Sequence, residues 1–343
     1  MSNTICKLTS PRELARAEAL LEAEGIERDR NLDYTCGILD EDDSLVATGS
    51  CFGSTIRCLA VSSAHQGEGL LNQVMEHLME VQMERGNSHL FLYTKPSAAR
   101  FMMDLGFYEI ARVEGKLVFL ENRRNGFAGF CRRLQKAEGE RIAAVVMNAN
   151  PFTLGHLHLV ERVARENDVV HVFVLSENAG PIPARVRKKL VQEGVAHLSN
   201  VVVQDSGPYI ISSATFPSYF LKDDDTVIRT QAELDLRVFG AIAKELGIQR
   251  RYVGQEHFSH VTALYNEVMG QLLPGIGMEF VEIPRCAEGP RVISASRVRQ
   301  AIHDGDLEAI RTMVPESTWR YFSSPEAEPV IRAIQRESDV IHY

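Results

Sequence analysis

A hydroxyl, a glycine and an imidazole stand together at one point of this chain, in Thr153-Leu154-Gly155-His156. They follow a polar turn, Asn148-Ala149-Asn150-Pro151, and the turn follows an apolar, β-branched run from Ile142 to Met147. Such a run reads as a buried strand, and Leu159, Val160 and Val163 continue the motif as an amphipathic helix. A strand that feeds a helix through a tight turn offers main-chain N–H groups and the positive end of the helix dipole to an anion. Thr153 and His156, three residues apart, project from one face of the first helical turn. Gly155 puts no Cβ between the backbone and a phosphate. The chemistry these residue types suit is the holding of a phosphate group.

The elements that must position them alternate. From residue 141 the expected strands are 142–147, 169–175, 201–204, 251–253 and 278–283, and the expected helices 154–166, 184–198, 231–246, 261–272 and 296–303. This βα alternation implies a parallel sheet covered on both faces. A longer irregular piece, 206–230, interrupts it, and loops of that length in a compact α/β domain tend to be functional. The residues just past the fourth strand, Gly254-Gln255-Glu256-His257, with Tyr265 and Asn266, fall on the ligand side of an open sheet, where they would meet adenine or ribose. Arg185, Arg187, Lys188 and Lys189 read as helix surface, and Asp223-Asp224-Asp225 as solvated loop.

The first part of the chain has a different order. A helix over 11–26 precedes strands at 33–40, 45–52 and 56–61. The glycine turn Gln66-Gly67-Glu68-Gly69 then opens a helix with Leu70, Leu71, Val74, Leu78 and Val81 inward. A strand (89–94), a helix (97–105) and two final strands (108–113, 116–120) complete it. Residues 121–140 hold Arg123, Arg124, Arg132, Arg133, Lys136 and three glycines, and read as a solvated connection between domains. The expected domains are 1–136, an α+β unit, and 140–343, a Rossmann-like parallel-sheet unit, within an α/β chain.

Composition sets the outer bounds. At 343 residues two domains, each with its own core, are expected. No apolar run is long enough to span a bilayer and the N-terminus has no signal-peptide pattern, so a cytoplasmic protein without a membrane partner is expected. The net charge of −9 argues against nucleic acid as a partner. The six cysteines are scattered without a C-x-x-C pair, which points to neither a zinc site nor a disulfide framework.

The stretch Asn150-Pro151-Phe152-Thr153-Leu154-Gly155-His156 resembles the T/H-x-G-H signature of the nucleotidyltransferase superfamily. A second stretch, Ile293-Ser294-Ala295-Ser296-Arg297-Val298-Arg299, is close to that superfamily's I-S-S-T-x-x-R, with Ala295 and Ser296 where Ser and Thr are usual. The resemblance implies in-line attack on the α-phosphate of a nucleoside triphosphate, with the protein positioning groups and neutralising charge. It implies that His156 donates to the α-phosphate, and that Thr153 holds a phosphate oxygen or orients His156. Ser294 and Ser296 would serve the β- and γ-phosphates, and Arg299 the leaving pyrophosphate. Asn148, Ala149, Asn150, Gly155 and Gly254 would line the nucleotide. ATP is the implied substrate and Mg²⁺ is implied with it, held mostly by the triphosphate rather than by a protein metal site.

The order of elements before residue 121, with the turn at Gln66, Gly67 and Gly69 and the segment from Ser97 to Phe107, resembles the GNAT acetyltransferase fold, in which such a turn grips the pyrophosphate of coenzyme A. Leu71 stands where that family has a small residue. A GNAT-like domain followed by a T-x-G-H domain is similar to the citrate lyase ligase family, which also has segments like ISSATFPSYFLK and VTALYNEVM. That resemblance implies conversion of ATP, acetate and the thiol of the CoA-like prosthetic group on the acyl carrier subunit of citrate lyase into the acetyl thioester, AMP and pyrophosphate. Two other classes remain open on the residues alone. A cofactor-biosynthetic adenylyltransferase would exchange pyrophosphate with a phosphoester acceptor and no acetate, and a non-catalytic nucleotide or acyl-CoA sensor would not turn ATP over.

Overall fold

The computed structural model describes residues 4–29, 31–177, 180–210, 216, 224–255, 260–284, 287–288 and 291–337. The chain divides into two compact units, one of residues 1–127 with 217–230 and one of residues 128–216 with 231–343.

In the first unit the order is β1 (Ile5–Lys7), α1 (Pro11–Ala23), β2 (Tyr34–Leu39), β3 (Leu45–Phe52), β4 (Thr55–Val61), α2 (Leu70–Glu84), β5 (Phe91–Thr94), α3 (Pro96–Asp104), β6 (Tyr108–Val113) and β7 (Leu117–Glu121). The strands form one sheet in the order β1-β2-β3-β4-β5-β7-β6. Every neighbouring pair is antiparallel except β4 and β5. This mixed sheet, with α2 entering from a glycine turn after β4, is the GNAT-like α+β arrangement that the sequence implies. Ser10 and Glu13 close a reciprocal capping box at the start of α1, with Pro11 at its first position. Val74, Met75 and Leu78 of α2 pack with Ile38, Val46 and Ile56 in one core. At the glycine turn Gly67 and Gly69 both take left-handed φ values, +86° and +72°. A Cβ would strain that backbone, so the turn needs glycine at both positions. No side chain caps the N-terminus of α2.

The segment expected to be a plain connection contains a helix, α4 (Gly126–Arg133). The Glu121 carboxylate accepts the Phe127 N–H at 2.7 Å, and Phe130 and Cys131 are buried. The basic side chains Arg132 and Arg133 fall on the exposed side. Three glycines and a run of cations suggested a solvated strand of chain; two buried apolar residues and an N-terminal carboxylate decide for a helix.

The second unit continues with β8 (Ile142–Met147), α5 (Leu154–Glu166), β9 (Val169–Val174), α6 (Ala184–Gly194), β10 (Val201–Asp205), α7 (Asp224–Leu246), β11 (Arg250–Gly254), α8 (His260–Leu272), β12 (Glu279–Ile283), α9 (Ala295–His303), α10 (Glu316–Phe322) and α11 (Glu328–Arg336). Its sheet is parallel throughout, in the order β10-β9-β8-β11-β12. Val170, Val172 and Val174 join Val160 and Val163 of α5 and Leu190 and Val191 of α6 in one core. Phe173 points to the opposite face, where its ring meets Phe239 of α7 edge-on at 6.0 Å. Helices therefore cover both sides, as the alternation implies. His171 shares that second face; burial lowers its imidazole to about 4, so it is neutral, and its Nδ1 lies 3.1 Å from Gln204 Nε2.

The strand order reverses between β8 and β11, and a ligand crevice in a sheet of this kind lies outside the carboxyl ends of those two strands. β1, α10 and α11 are not among the expected elements. About half of 206–230, residues 211–215 and 217–223, lies outside the described residues; that takes in Asp223 and all of ISSATFPSYFLK but Phe216, and Glu256 and His257 lie outside them as well. α7 starts at Asp224, earlier than expected.

Candidate active site

β8 ends at Met147 and the chain turns at once. Ala149 has a left-handed φ of +49°, uncommon for a residue with a Cβ, and the Asn150–Pro151 peptide is cis. Bonds from distant segments hold this turn. Arg187 Nη1 donates to the Asn148 carbonyl at 2.6 Å and to its side-chain Oδ1 at 2.7 Å. Arg299 Nη1 donates to the Asn150 carbonyl at 2.6 Å. The Thr318 hydroxyl of α10 donates to the Phe152 carbonyl at 2.9 Å, and the Leu154 N–H donates to the Met313 carbonyl at 3.0 Å.

Thr153 is the N-cap of α5, its hydroxyl accepting from the His156 N–H at 3.4 Å. The reciprocal bond comes from the histidine, whose Nδ1 accepts the Thr153 N–H at 3.1 Å and lies 2.9 Å from the Thr153 hydroxyl. An amide N–H can only donate, so Nδ1 carries the lone pair and the proton sits on Nε2. The cap thus fixes the tautomer that makes Nε2 a donor. Thr153 is buried and its hydroxyl sits on His156, which favours orienting the histidine over holding phosphate itself. Phe152, fully buried, lies nearly parallel to the imidazole with ring centroids 5.9 Å apart. Gly194 permits this: a Cβ there would come within 2.5 Å of the Phe152 ring.

The second signature lies beside the first. A Cβ on Gly155 would sit 3.5 Å from the Ile293 carbonyl, one residue before Ser294. Ser294 caps α9, accepting from the Arg297 N–H at 3.3 Å, and its hydroxyl is 3.0 Å from that of Ser296. Arg299 is 4% exposed. It ties the two signatures together through Asn150. Gly254 ends β11 two residues beyond the Tyr252–Val145 pair, level with the end of β8, and among the described residues nothing stands within 4 Å of where its Cβ would project. Asn266, expected to face the nucleotide, is buried and donates to the Gly254 carbonyl (3.4 Å) and to Glu282 (3.2 Å), so it braces the strand end. Gln66, Gly67 and Gly69 belong to the other unit.

Arg187 overturns its expectation. It is 2% exposed, not helix surface, and besides Asn148 it donates to the carbonyls of Ile182 (3.2 Å) and Glu177. Burial pushes its pKa down, against the pull of the Glu177 carboxylate, yet a guanidinium keeps its proton. The signal was legible: Arg187 lies three and four residues before Leu190 and Val191, on the apolar stripe of α6. Thr318 and Met313, which also hold the turn, had no local signal. One buried atom at the turn, Asn150 Oδ1, has no partner among the described residues. No group of three metal-binding side chains occurs among the described residues, and no helix among them is long and apolar enough to cross a membrane.

The arrangement offers an anion two adjacent helix starts, an imidazole donor and buried positive charge. Known proteins point the same way. The family model described as the citrate lyase ligase C-terminal domain matches residues 142–322. The citrate (pro-3S)-lyase ligase of Escherichia coli is 37% identical over 309 residues, 87% of this chain and 88% of that protein. The protein of the same name from Klebsiella pneumoniae is 37% identical, with 82% and 84% covered, and that from Haemophilus influenzae 34% identical, with 91% and 96% covered. Signatures, fold and near full-length similarity agree: the chain belongs to the citrate lyase ligase family.

Proposed function

We propose that the chain is an ATP-dependent acid–thiol ligase that acetylates the CoA-like thiol arm on the acyl carrier subunit of citrate lyase. The observation that most supports this is the joining of the two signatures at one turn, Arg299 to Asn150 at 2.6 Å, beside a histidine whose Nδ1 is held by Thr153. In the first step a carboxylate oxygen of acetate attacks the α-phosphorus of ATP and the bond to the β-phosphate oxygen breaks. Acetyl-AMP forms and pyrophosphate leaves. Acetate is already an anion at neutral pH, so no general base is needed. His156 Nε2–H donates to the α-phosphate oxygen as charge builds there. Ser294 and Ser296 serve the β- and γ-phosphates from the start of α9. Asn150 Oδ1, buried and without a partner among the described residues, accepts from a hydroxyl or amino group of the nucleotide, and Gly155 and Gly254 leave room for it. Mg²⁺ travels with the triphosphate. In the second step the thiolate attacks the acetyl carbonyl and AMP leaves. We place this reaction in the cytoplasm and assign its nucleotide chemistry to a domain spanning residues 140–343.

The domain spanning 1–136 then binds the arm: the turn at Gln66, Gly67 and Gly69 faces the arm's pyrophosphate with main-chain N–H groups, helped by the uncapped start of α2. The test is ATP–pyrophosphate exchange over a panel of acids. Exchange should appear with acetate and with no phosphoester present; exchange only with a phosphoester acceptor would instead favour a cofactor-biosynthetic adenylyltransferase. With Gly69→Leu, acetate-dependent exchange should persist while thioester formation on the carrier is lost. Equal loss of both would remove the arm-binding role from the glycine turn.

A further inference from the structure

Arg187 and Asn148 form a unit that the reaction above does not yet use. Arginine is a donor only, so the Asn148 side-chain atom 2.7 Å from Arg187 Nη1 is the amide oxygen. Oδ1 and Nδ2 lie at opposite ends of one planar group. With Oδ1 held inward, the Nδ2 group and its two N–H donors are turned away from Arg187. Asn148 is half-buried, and its Nδ2 has no protein partner among the described residues. The same guanidinium nitrogen holds the Asn148 carbonyl at 2.6 Å, so backbone and side chain of this residue are set together. Among the described residues every hydrogen bond Arg187 makes goes to an uncharged oxygen, in Asn148, Ile182 and Glu177, while the Glu177 carboxylate acts on its charge only through space. Its buried charge therefore favours an anion at the turn.

We propose that Arg187 is a positioning residue for adenylylation, acting through Asn148: it locks the amide so that Nδ2 donates to a phosphate oxygen of the bound nucleotide. The inference rests on the adenylylation reading and names two of its working parts. A lysine could not replace Arg187, because one ammonium cannot span three segments as a planar fork does.

The discriminating variant is Asn148→Asp. An aspartate keeps the shape and accepts from Arg187 at least as well, so a purely structural bond survives. Its outward end, however, becomes an anionic acceptor where a donor is required. The unfolding midpoint in urea should not fall, whereas MgATP should bind about 100-fold more weakly by equilibrium titration, with acetate-dependent exchange falling at least as far. Asn148→Ala should weaken MgATP about 10-fold, and this effect should shrink when Arg187→Lys is already present. Wild-type affinity for MgATP in folded Asn148→Asp would overturn the proposal. If the wild-type chain binds MgATP but exchanges pyrophosphate with no acid, the adenylylation reading falls, and the titration still decides what Asn148 does. If the wild-type chain binds no MgATP, both are wrong.

Discussion

Replacing His156 with alanine is expected to lower acetate-dependent ATP–pyrophosphate exchange about 100- to 1,000-fold, the usual loss when one preorganised donor to a developing oxyanion is removed. The effect should fall on kcat more than on the KM for ATP, because the donor acts on charge that appears in the transition state. Stability should change little. Thr153 remains the N-cap of α5, its buried hydroxyl still available to the first turn, and the imidazole is half-exposed. The bond from the buried Thr153 N–H to Nδ1 is lost, at a cost of about 1 kcal/mol that water entering the space left by the ring lessens. His156→Gln separates donor from tautomer: its amide can donate without the Thr153 N–H fixing which atom does so, and should recover part of the rate. Exchange within a few-fold of wild type in His156→Ala would remove the histidine from the chemistry.

Arg299→Met should have an effect of similar size with a different signature. The substitution fills much of the same volume but leaves the Asn150 carbonyl without its 2.6 Å donor in a buried place. An unsatisfied buried group costs about 1–3 kcal/mol, so the urea midpoint should drop measurably. Exchange should fall by more than about 100-fold, since a shift near 1 Å in the turn misplaces both signatures at once. Unlike His156→Ala, this variant should lose stability and activity together, and Arg299→Lys should recover little of either. Full activity in Arg299→Met would show that the two signatures do not need this strut.

The contrast between the two arginines in the site shows where sequence reasoning stops. Arg299 was legible as a site residue because it ends a recognisable motif, where a planar cation suits the leaving pyrophosphate. Arg187 has no motif, and a basic run at 185–189 resembles any solvated helix face. The structure buries both to 4% or less. Arginine is amphipathic by atom, so composition leaves its burial open. The helical phase of Arg187 against Leu190 and Val191 was the one local hint. Thr318 and Met313 lie past the last expected helix, and nothing in their local sequence says that they meet the Phe152 carbonyl and the Leu154 N–H.

What the sequence determined by itself is local in origin. Continuous apolar runs made strands, period-3.6 stripes made helices, glycines marked the turn before α2, and two spaced motifs marked the candidate nucleotide site. Only the tertiary structure decided which groups hold that site together. The turn at 148–150 is set by side chains 39 and 149 residues further along, and the carbonyl beside it by one 166 residues further along. Those meetings depend on how whole helices cross the sheet, and a buried main-chain oxygen takes its donor from whatever the packing brings within reach.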